Sequence, residues 1–306
     1  MLYFILRRLV LSLPVLAIVI TSIFLLIHLI PGDPVVQMLG EGAEPADVEE
    51  IRHQLGLDKP LHVQYATYWK QLVQGNLGTS FKFNIPVSEV LRARYPATFW
   101  LALISLAIAI LISVPAGITA AVNRGRWLDR LLGSVTLLGL SFPNFALGPG
   151  LILIFSIQMG LLPVSGRDSP ASYILPAFTL GASMAAILTR MVRSSMLEQL
   201  SSNYVRTARA KGLSEGAILY RHALRNGLIP IITIIGLQFG TLLAGAIITE
   251  TIFSWPGLGR LTIEAINARD YPLLQGCVLS ISLTYVLVNF LTDLGYSLLD
   301  PRIRAQ

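Results

Sequence analysis

"ATFWLALISLAIAILISVPAGITAA" (residues 97–121) carries no charged residue along its whole length. A helix needs about 20 apolar residues to cross the hydrocarbon core of a bilayer, so this run can span one. Five further long apolar runs, each with at most one charged residue, lie outward from it, at roughly 9–30, 131–157, 174–192, 228–250 and 274–298. A transmembrane β-barrel would show alternating segments of about 10 residues instead. The fold class is therefore an all-α polytopic membrane protein with six transmembrane helices. Composition agrees. The chain is 54% apolar and 13% charged, against about 25% charged in soluble domains.

The first run follows Arg7-Arg8 and ends at "IPGDP" (30–34). It is longer than a signal-peptide core and lacks a small-x-small cleavage site, so it is read as a retained helix. Placing the N-terminus inside sorts the charge. Inside fall 14 cations and four acids, and outside fall nine cations and 12 acids. The inside cations include Arg124, Arg126, Arg130, Arg190, Arg193, Arg302 and Arg304. An excess of Arg and Lys marks the cytoplasmic side, so both termini are predicted inside. The net charge of +6 is thereby explained by topology, and nucleic acid is excluded as a partner. The single cysteine, Cys277, allows no disulfide within the chain and no Cys-based metal site.

The organisation that follows is 1–30, a cytoplasmic N-terminus and first helix; 31–95, an external segment; and 96–306, a five-helix core with a cytoplasmic loop at 193–227. In the external segment "PADVEEIRHQLGLDKP" (45–60) reads as a short amphipathic helix, with Val48, Ile51 and Leu55 on one side and Gly56 as its stop. "HVQYATYWKQL" (62–72) places aromatics at helical spacing, suited to the membrane interface. A second external stretch, 251–273, is broken by Pro256, Gly257 and Gly259, which predicts a packed turn or half-helix near the outer mouth. Pro115-Ala116-Gly117, Pro143 and Pro149 interrupt spans. They fit helices that flex along a pathway, or ordinary prolines in a bundle.

The loop between the fourth and fifth spans has internal order. In "NYVRTARAKGL" (203–213) Asn203 is placed to cap a helix, and Gly212 suits the left-handed position after its end. Arg209 and Lys211 sit in the last turn, where cations favour the helix dipole. Ser214 is placed to cap a second helix running from Glu215 towards Asn226. Ala208 and Ala210 are small enough to enter a groove, with cations around them. A short rigid helix of this kind suits docking. Topology enforcement and binding of anionic lipid head groups are the other readings.

"YVRTARAKGLSEGAILYRHALRNGLIP" (204–230) resembles the cytoplasmic loop of ATP-binding-cassette importer permeases, and more narrowly the dipeptide, oligopeptide and nickel permease family. "HLIPGDP" (28–34), "LGLDKPL" (55–61), "ILPAFTLG" (174–181), "RSSMLEQLS" (193–201), "ETIFSWPGLGRL" (250–261), "RDYPLLQG" (269–276) and "DPRIR" (300–304) look like landmarks of the same family, so the resemblance covers nearly the whole chain. "LSFPNFALG" (140–148) is similar to segments of glutathione permeases. The resemblance implies type I importer architecture and a "B"-type inner-membrane subunit in bacteria. It implies Tyr204, Arg206, Thr207, Ala208, Arg209, Ala210, Lys211, Gly212, Leu213, Ser214 and Glu215 as the coupling helix that contacts an ATPase. The general importer pattern is Glu-Ala-Ala, three residues, then Gly. Ala208 and Gly212 match it, whereas Arg206 and Thr207 replace the Glu and first Ala.

The partners implied are a second homologous permease, two ATPase subunits that carry ATP and Mg, a periplasmic or lipid-anchored binding protein, and membrane lipid. This chain itself is expected to hold no cofactor and do no chemistry. A phosphate-binding loop, G-x-x-x-x-G-K-[ST], is absent, because none of the four lysines (Lys59, Lys70, Lys82, Lys211) follows a glycine. Histidines 28, 53, 62 and 222 show no metal-ligand spacing, and His53 and His62 read as structural or solvated before they read as nickel contacts. Pro143, Asn144, Asn289 and Asp293 are candidate pathway or gating residues, Asp293 being the one acid inside a span once Glu250, which closes the run 228–250, is counted outside. A structural pairing is its other reading. Trp255, Pro256, Gly257 and Arg260 are candidate contacts for the binding protein. Short peptides or glutathione are the expected cargo. The alternatives are nickel, or an ion-coupled secondary transporter working alone.

Overall fold

The computed structural model describes residues 2–29, 35–36 and 44–299. Residues 30–34 of "HLIPGDP" and all of "DPRIR", with Arg302 and Arg304, lie outside that range. Among the described residues the regular elements are helices: α1 (Leu2–Leu29), α2 (Pro45–Leu55), α3 (Leu61–Val73), α4 (Val87–Val122), α5 (Trp127–Ser141), α6 (Asn144–Leu151), α7 (Ile174–Leu200), α8 (Asn203–Ala210), α9 (Arg225–Ile252), α10 (Leu258–Asn267) and α11 (Tyr271–Leu299). Helices at Leu6–Leu25, Val87–Val122, Pro170–Leu200, Ala217–Gly240 and Tyr271–Gly295 are long and apolar enough to cross a membrane.

The third apolar run is not the single straight span that 131–157 suggests. It breaks into α5 and α6, bent by 101°. Pro143 is the physical cause. It has no N–H to continue the helix, and it pushes Phe142 before it into extended backbone, at φ −85° and ψ 115°. The broken pair still travels from one end of the bundle to the other. Asp129 on α5 meets Arg193, whereas Gly148 on α6 lies against Thr179, Ile252 and Phe253. With this pair counted as one crossing, six spans result.

α4 and α7 form the central pair and run parallel. They approach closely at two glycines. A side chain at Gly181 would meet the Ser105 carbonyl oxygen at 2.7 Å, and one at Gly117 would meet Val192 at 2.6 Å. Small residues at such crossings let helix backbones pack tightly in lipid, where apolar side chains gain nothing from leaving water. α9 packs on the same pair in the opposite direction. Its Ile231 joins Ile118, Val192 and Met196 at one end, and its Ala246 joins Ala97, Leu101, Leu180 and Trp255 at the other.

Polar pairs sort to the two ends as the charge count requires. Arg8–Asp293 (3.0 Å), Asp129–Arg193 (2.6 Å) and Arg209–Glu215 (2.8 Å) gather at one end. Lys82–Glu264 (3.0 Å), Arg260–Glu264 (3.2 Å) and Ser80–Asp270 (2.5 Å) lie at the other. Asp270 is fully buried and caps α11, accepting from the Leu273 N–H at 3.2 Å and, across the fold, from the Lys82 N–H at 3.0 Å. It thereby fixes the external loop after α3 to the start of the last helix.

Candidate functional site

The basic loop is built from a short helix with a defined stop. The N-cap is Ser202, in extended backbone, and Asn203 is the first helical residue, so the sequence reading is off by one. The reason is local: the Ser202 hydroxyl donates back to the Gln199 carbonyl at 2.6 Å and closes the end of α7, leaving α8 to begin at once. At the other end Gly212 adopts φ +77°. Its N–H reaches the Arg209 carbonyl (2.9 Å), and the Leu213 N–H reaches the Ala208 carbonyl (3.3 Å). This is a Schellman stop, which places a residue at positive φ just beyond the helix. Leu213 then folds back on Val205, Ala208 and Ile218.

That small cluster sorts the loop into two faces. Val205 and Ala208 turn inward, with Val205 fully buried and Ala208 9% exposed. Ala208 is therefore the floor of the loop, and the expectation that it enters a groove on another protein is corrected. Packing on Ile218 consumes the one face of α8 that is apolar. Tyr204, Arg206, Thr207, Arg209, Ala210, Lys211, Gly212, Ser214 and Glu215 are exposed, and Leu213 is half-buried. Arg209 holds Glu215 through two hydrogen bonds, of 2.8 and 3.2 Å. The guanidinium keeps the Glu215 carboxyl below the usual carboxylate range.

The second helix does not end at Asn226. Ser214 caps it, its hydroxyl accepting from the Ala217 N–H at 3.4 Å. It then continues through a wide-turn segment, Ala217–Leu224, straight into α9. α8 is thus packed on the base of the fifth span. The base is itself tied to the fourth: the Ser195 hydroxyl donates to the Gly227 carbonyl at 3.0 Å, and a side chain at Gly227 would strike it. Two residues before Ser195, Arg193 grips Asp129 through two bonds of 2.6 and 2.8 Å. The loop thus packs on the base of the fifth crossing, which is hydrogen-bonded to the fourth, and the fourth is paired in turn with the third.

At the opposite end the stretch "ETIFSWPGLGRL" forms a clasp. Glu250 ends fully buried. One carboxylate oxygen accepts from the Thr98 hydroxyl at 2.6 Å, and the other accepts from the Arg260 N–H at 3.0 Å. Thr98 in turn accepts from the Leu258 N–H at 2.7 Å. These are first-turn amides of α10, which otherwise have no partner. Gly257, the N-cap residue, has no side chain to offer, so Glu250 caps the helix from α9. A side chain at 257 would overlap its carboxylate, and one at Gly259 would meet the Ile247 backbone at 2.6 Å. Trp255 is fully buried, donating from its indole to the Ala97 carbonyl at 3.1 Å and meeting the Tyr173 ring edge-on at 4.5 Å.

The clasp changes the outer-mouth assignment. Trp255 and Gly257 are buried, so they cannot be the surface that a binding protein touches in this conformation. Pro256 is half-buried, and Arg260 reaches the surface while paired with Glu264. Glu250 is the residue that sequence reading missed. Its signal was an acid five residues before "WPGLG", where two glycines leave room for a carboxylate.

The candidate pathway residues are not brought together. Pro143 and Asn144 make the α5–α6 break, Asn144 with its side-chain oxygen buried and unpartnered among the described residues. Asp293 ties the last helix to the first through Arg8, and Asn289 lies half-buried one turn before it. Among the described residues no group of three or more His, Cys, Asp or Glu converges as metal ligands. His53 lies 4.0 Å from Asp58.

Comparison with known proteins places this architecture. Residues 113–305 match the family described as "Binding-protein-dependent transport system inner membrane component". Residues 1–102 match the N-terminal family of such membrane components. The chain is 47% identical to "Glutathione transport system permease protein GsiC" of Salmonella typhimurium over 304 residues, covering 99% of both chains. It is 45% identical to the protein of the same name in Escherichia coli K12, with the same coverage. In fold it is similar to a solved inward-facing "MetNI methionine ABC transporter" structure, with a TM-score of 0.59 at 19% identity, covering 70% of this chain and 97% of that one.

Proposed function

The chain belongs to the family of inner-membrane components of binding-protein-dependent transport systems, and from that premise we propose that it carries short peptides, glutathione foremost, as one permease subunit of an ATP-driven importer. The glutathione permeases to which it is 45–47% identical support that cargo. A second homologous permease completes the pathway. Two ATPase subunits bind ATP and Mg on the inner side, and a periplasmic or lipid-anchored binding protein delivers substrate outside.

The observation that carries the coupling role is the construction of α8. It is exposed, short and sharply stopped, and it is packed through Val205, Ala208 and Ile218 onto the base of α9. A partner that closes around the exposed face moves the fifth span with it, and the Ser195–Gly227 bond passes that motion to the fourth. Differential contact with an open and a closed ATPase pair is what biases the bundle between two states. The exposed faces of α5 and α6 and the break between them, including Leu131, Val135, Leu138, Phe142 and Phe145, suit lipid or the second permease.

The test is uptake into proteoliposomes. The full set of subunits should accumulate glutathione only with ATP inside and binding protein outside. Uptake by this chain alone, driven by an ion gradient, would refute the reading. The same assay with nickel tests the alternative cargo.

A further inference from the structure

A cavity of about 670 Å³ opens at the outer end beside the clasp, walled by Ile104 and Ile108 of α4, by Ile174 of α7, and by Arg167, Asp168 and Tyr173 of the segment between α6 and α7. Its volume falls within the roughly 300–1,000 Å³ of small-molecule sites. Ile104 lies six residues beyond Thr98 along α4, about 9 Å deeper into the bundle than the clasp. We propose that this cavity receives a short peptide with free termini, Arg167 taking its carboxylate and Asp168 its ammonium.

Two opposite charges line one cavity and do not pair with each other. Neither residue forms an ion pair among the described residues, although they are adjacent in sequence. Arg167 is held by other means. Its Nε donates to the Tyr173 hydroxyl at 2.7 Å, and its guanidinium stands 5.9 Å from the centre of the Tyr173 ring. Tyr173 is in turn fixed against Trp255. The segment is anchored where the Gly166 N–H donates to the Phe253 carbonyl at 3.1 Å.

This arrangement occupies Nε and leaves both terminal guanidinium nitrogens for a ligand. Those two nitrogens form the planar fork that matches a carboxylate. Asp168 supplies the opposite sign, and Ile104, Ile108 and Ile174 give the same cavity an apolar wall. A peptide with a carboxylate at one end and an ammonium at the other satisfies all three features, whereas a simple anion leaves Asp168 facing it; glutathione carries both groups, and the second carboxylate beside its ammonium is left to solvent at the exposed Asp168 end. The proposal rests on the peptide-importer reading and adds the contact on this chain that reads the substrate's ends.

The test is equilibrium binding of labelled glutathione, its C-terminal amide and its N-acetyl form to the complete transporter in nanodiscs, without binding protein. Wild type should bind glutathione and discriminate against both capped forms. Arg167→Gln should weaken glutathione about tenfold or more and erase the discrimination against the amide. Asp168→Asn should do the same against the N-acetyl form. Unchanged affinities in both variants, or no binding by wild type, overturns the site. So does an effect of the variants on retained phosphatidylethanolamine without one on glutathione. ATP-driven glutathione uptake by the same preparation with binding protein present separates these outcomes from failure of the importer reading itself.

Discussion

The carboxylate of Glu250 occupies the space that a side chain at position 257 would need. One residue supplies the cap and the other supplies the room for it, and α10 depends on both. Gly257→Ala should displace the carboxylate and leave first-turn amides of α10 unpaired. Loss of such a cap costs about 1–2 kcal/mol, and burying an unpaired donor adds about 1–3 kcal/mol. The detergent-solubilised protein should therefore melt several degrees lower. Glu250→Ala should match it. An unchanged melting temperature in both would show that the clasp contributes nothing to stability.

Ala208 and Ala210 should separate folding of the loop from its contact. Ala208→Glu places a carboxylate against Val205 and Ile218, so it should open residues 203–216 to protease in the isolated chain. Ala210 is exposed, and Ala210→Glu should leave the isolated loop resistant while reducing ATPase stimulation in the assembled transporter. Equal protease sensitivity of the two variants would contradict the two-faced loop.

Gly212 is needed for its backbone. Beyond its two chain neighbours, no described atom stands within 4 Å of where its Cβ would be, yet φ is +77°. Gly212→Asn, which tolerates that conformation, should keep transport near the wild-type level. Gly212→Val should cost about 1–2 kcal/mol at the stop and uncouple ATP hydrolysis from uptake. Tight coupling in Gly212→Val, and in a bulky Gly212→Trp, would count against docking through this loop.

The Arg209–Glu215 pair gives the loop a pH limit. The Glu215 carboxyl is held below the usual range by Arg209. A depressed carboxylate contributes fully above its ordinary pKa and loses that contribution as pH falls through the lowered one. A spin label at Lys211→Cys should thus keep constant mobility from pH 8 to about 5 and loosen only in stronger acid. Glu215→Gln should show the loosened signal already at pH 7, modestly, because the pair faces solvent.

Asp129 and Arg193 tie the broken third crossing to the fourth. Their side chains are 10% and 35% exposed, so breaking the pair should cost less than a fully buried one. Asp129→Ala should destabilise by about 1–2 kcal/mol. The exchange Asp129→Arg with Arg193→Asp should recover part of it. A double-mutant cycle with no coupling would show the contact to be incidental.

Much of this protein was legible because hydropathy and capping act locally. Five long apolar runs became helices, and the charge bias matched the way ionic pairs gather at the two ends. Gly212 and Ser214 did what their residue types favour within a few positions along the chain. The family landmarks were equally plain, since they are words in the sequence. Less local features were read differently. The run 131–157 was apolar throughout, and its 101° bend followed from one proline whose effect hydropathy does not register. Trp255 and Gly257 stood beside prolines and glycines, as surface loops often do, and proved buried.

The sequence by itself determined the membrane class, the sides, the six crossings and the presence of a short capped helix in the basic loop. The first three follow from the length of apolar runs and the tally of charges between them, and the last from residues within two turns of Gly212; none needs to know which distant segments touch. Only the tertiary structure decided which face of that helix is free, because Ile218 had to fold back and cover Ala208. Only it revealed that Glu250 reaches Thr98 and the amides of α10, and that Arg167 and Asp168 share a cavity without pairing. Those relationships depend on where distant segments meet, and the charge or size of a residue does not state its neighbour.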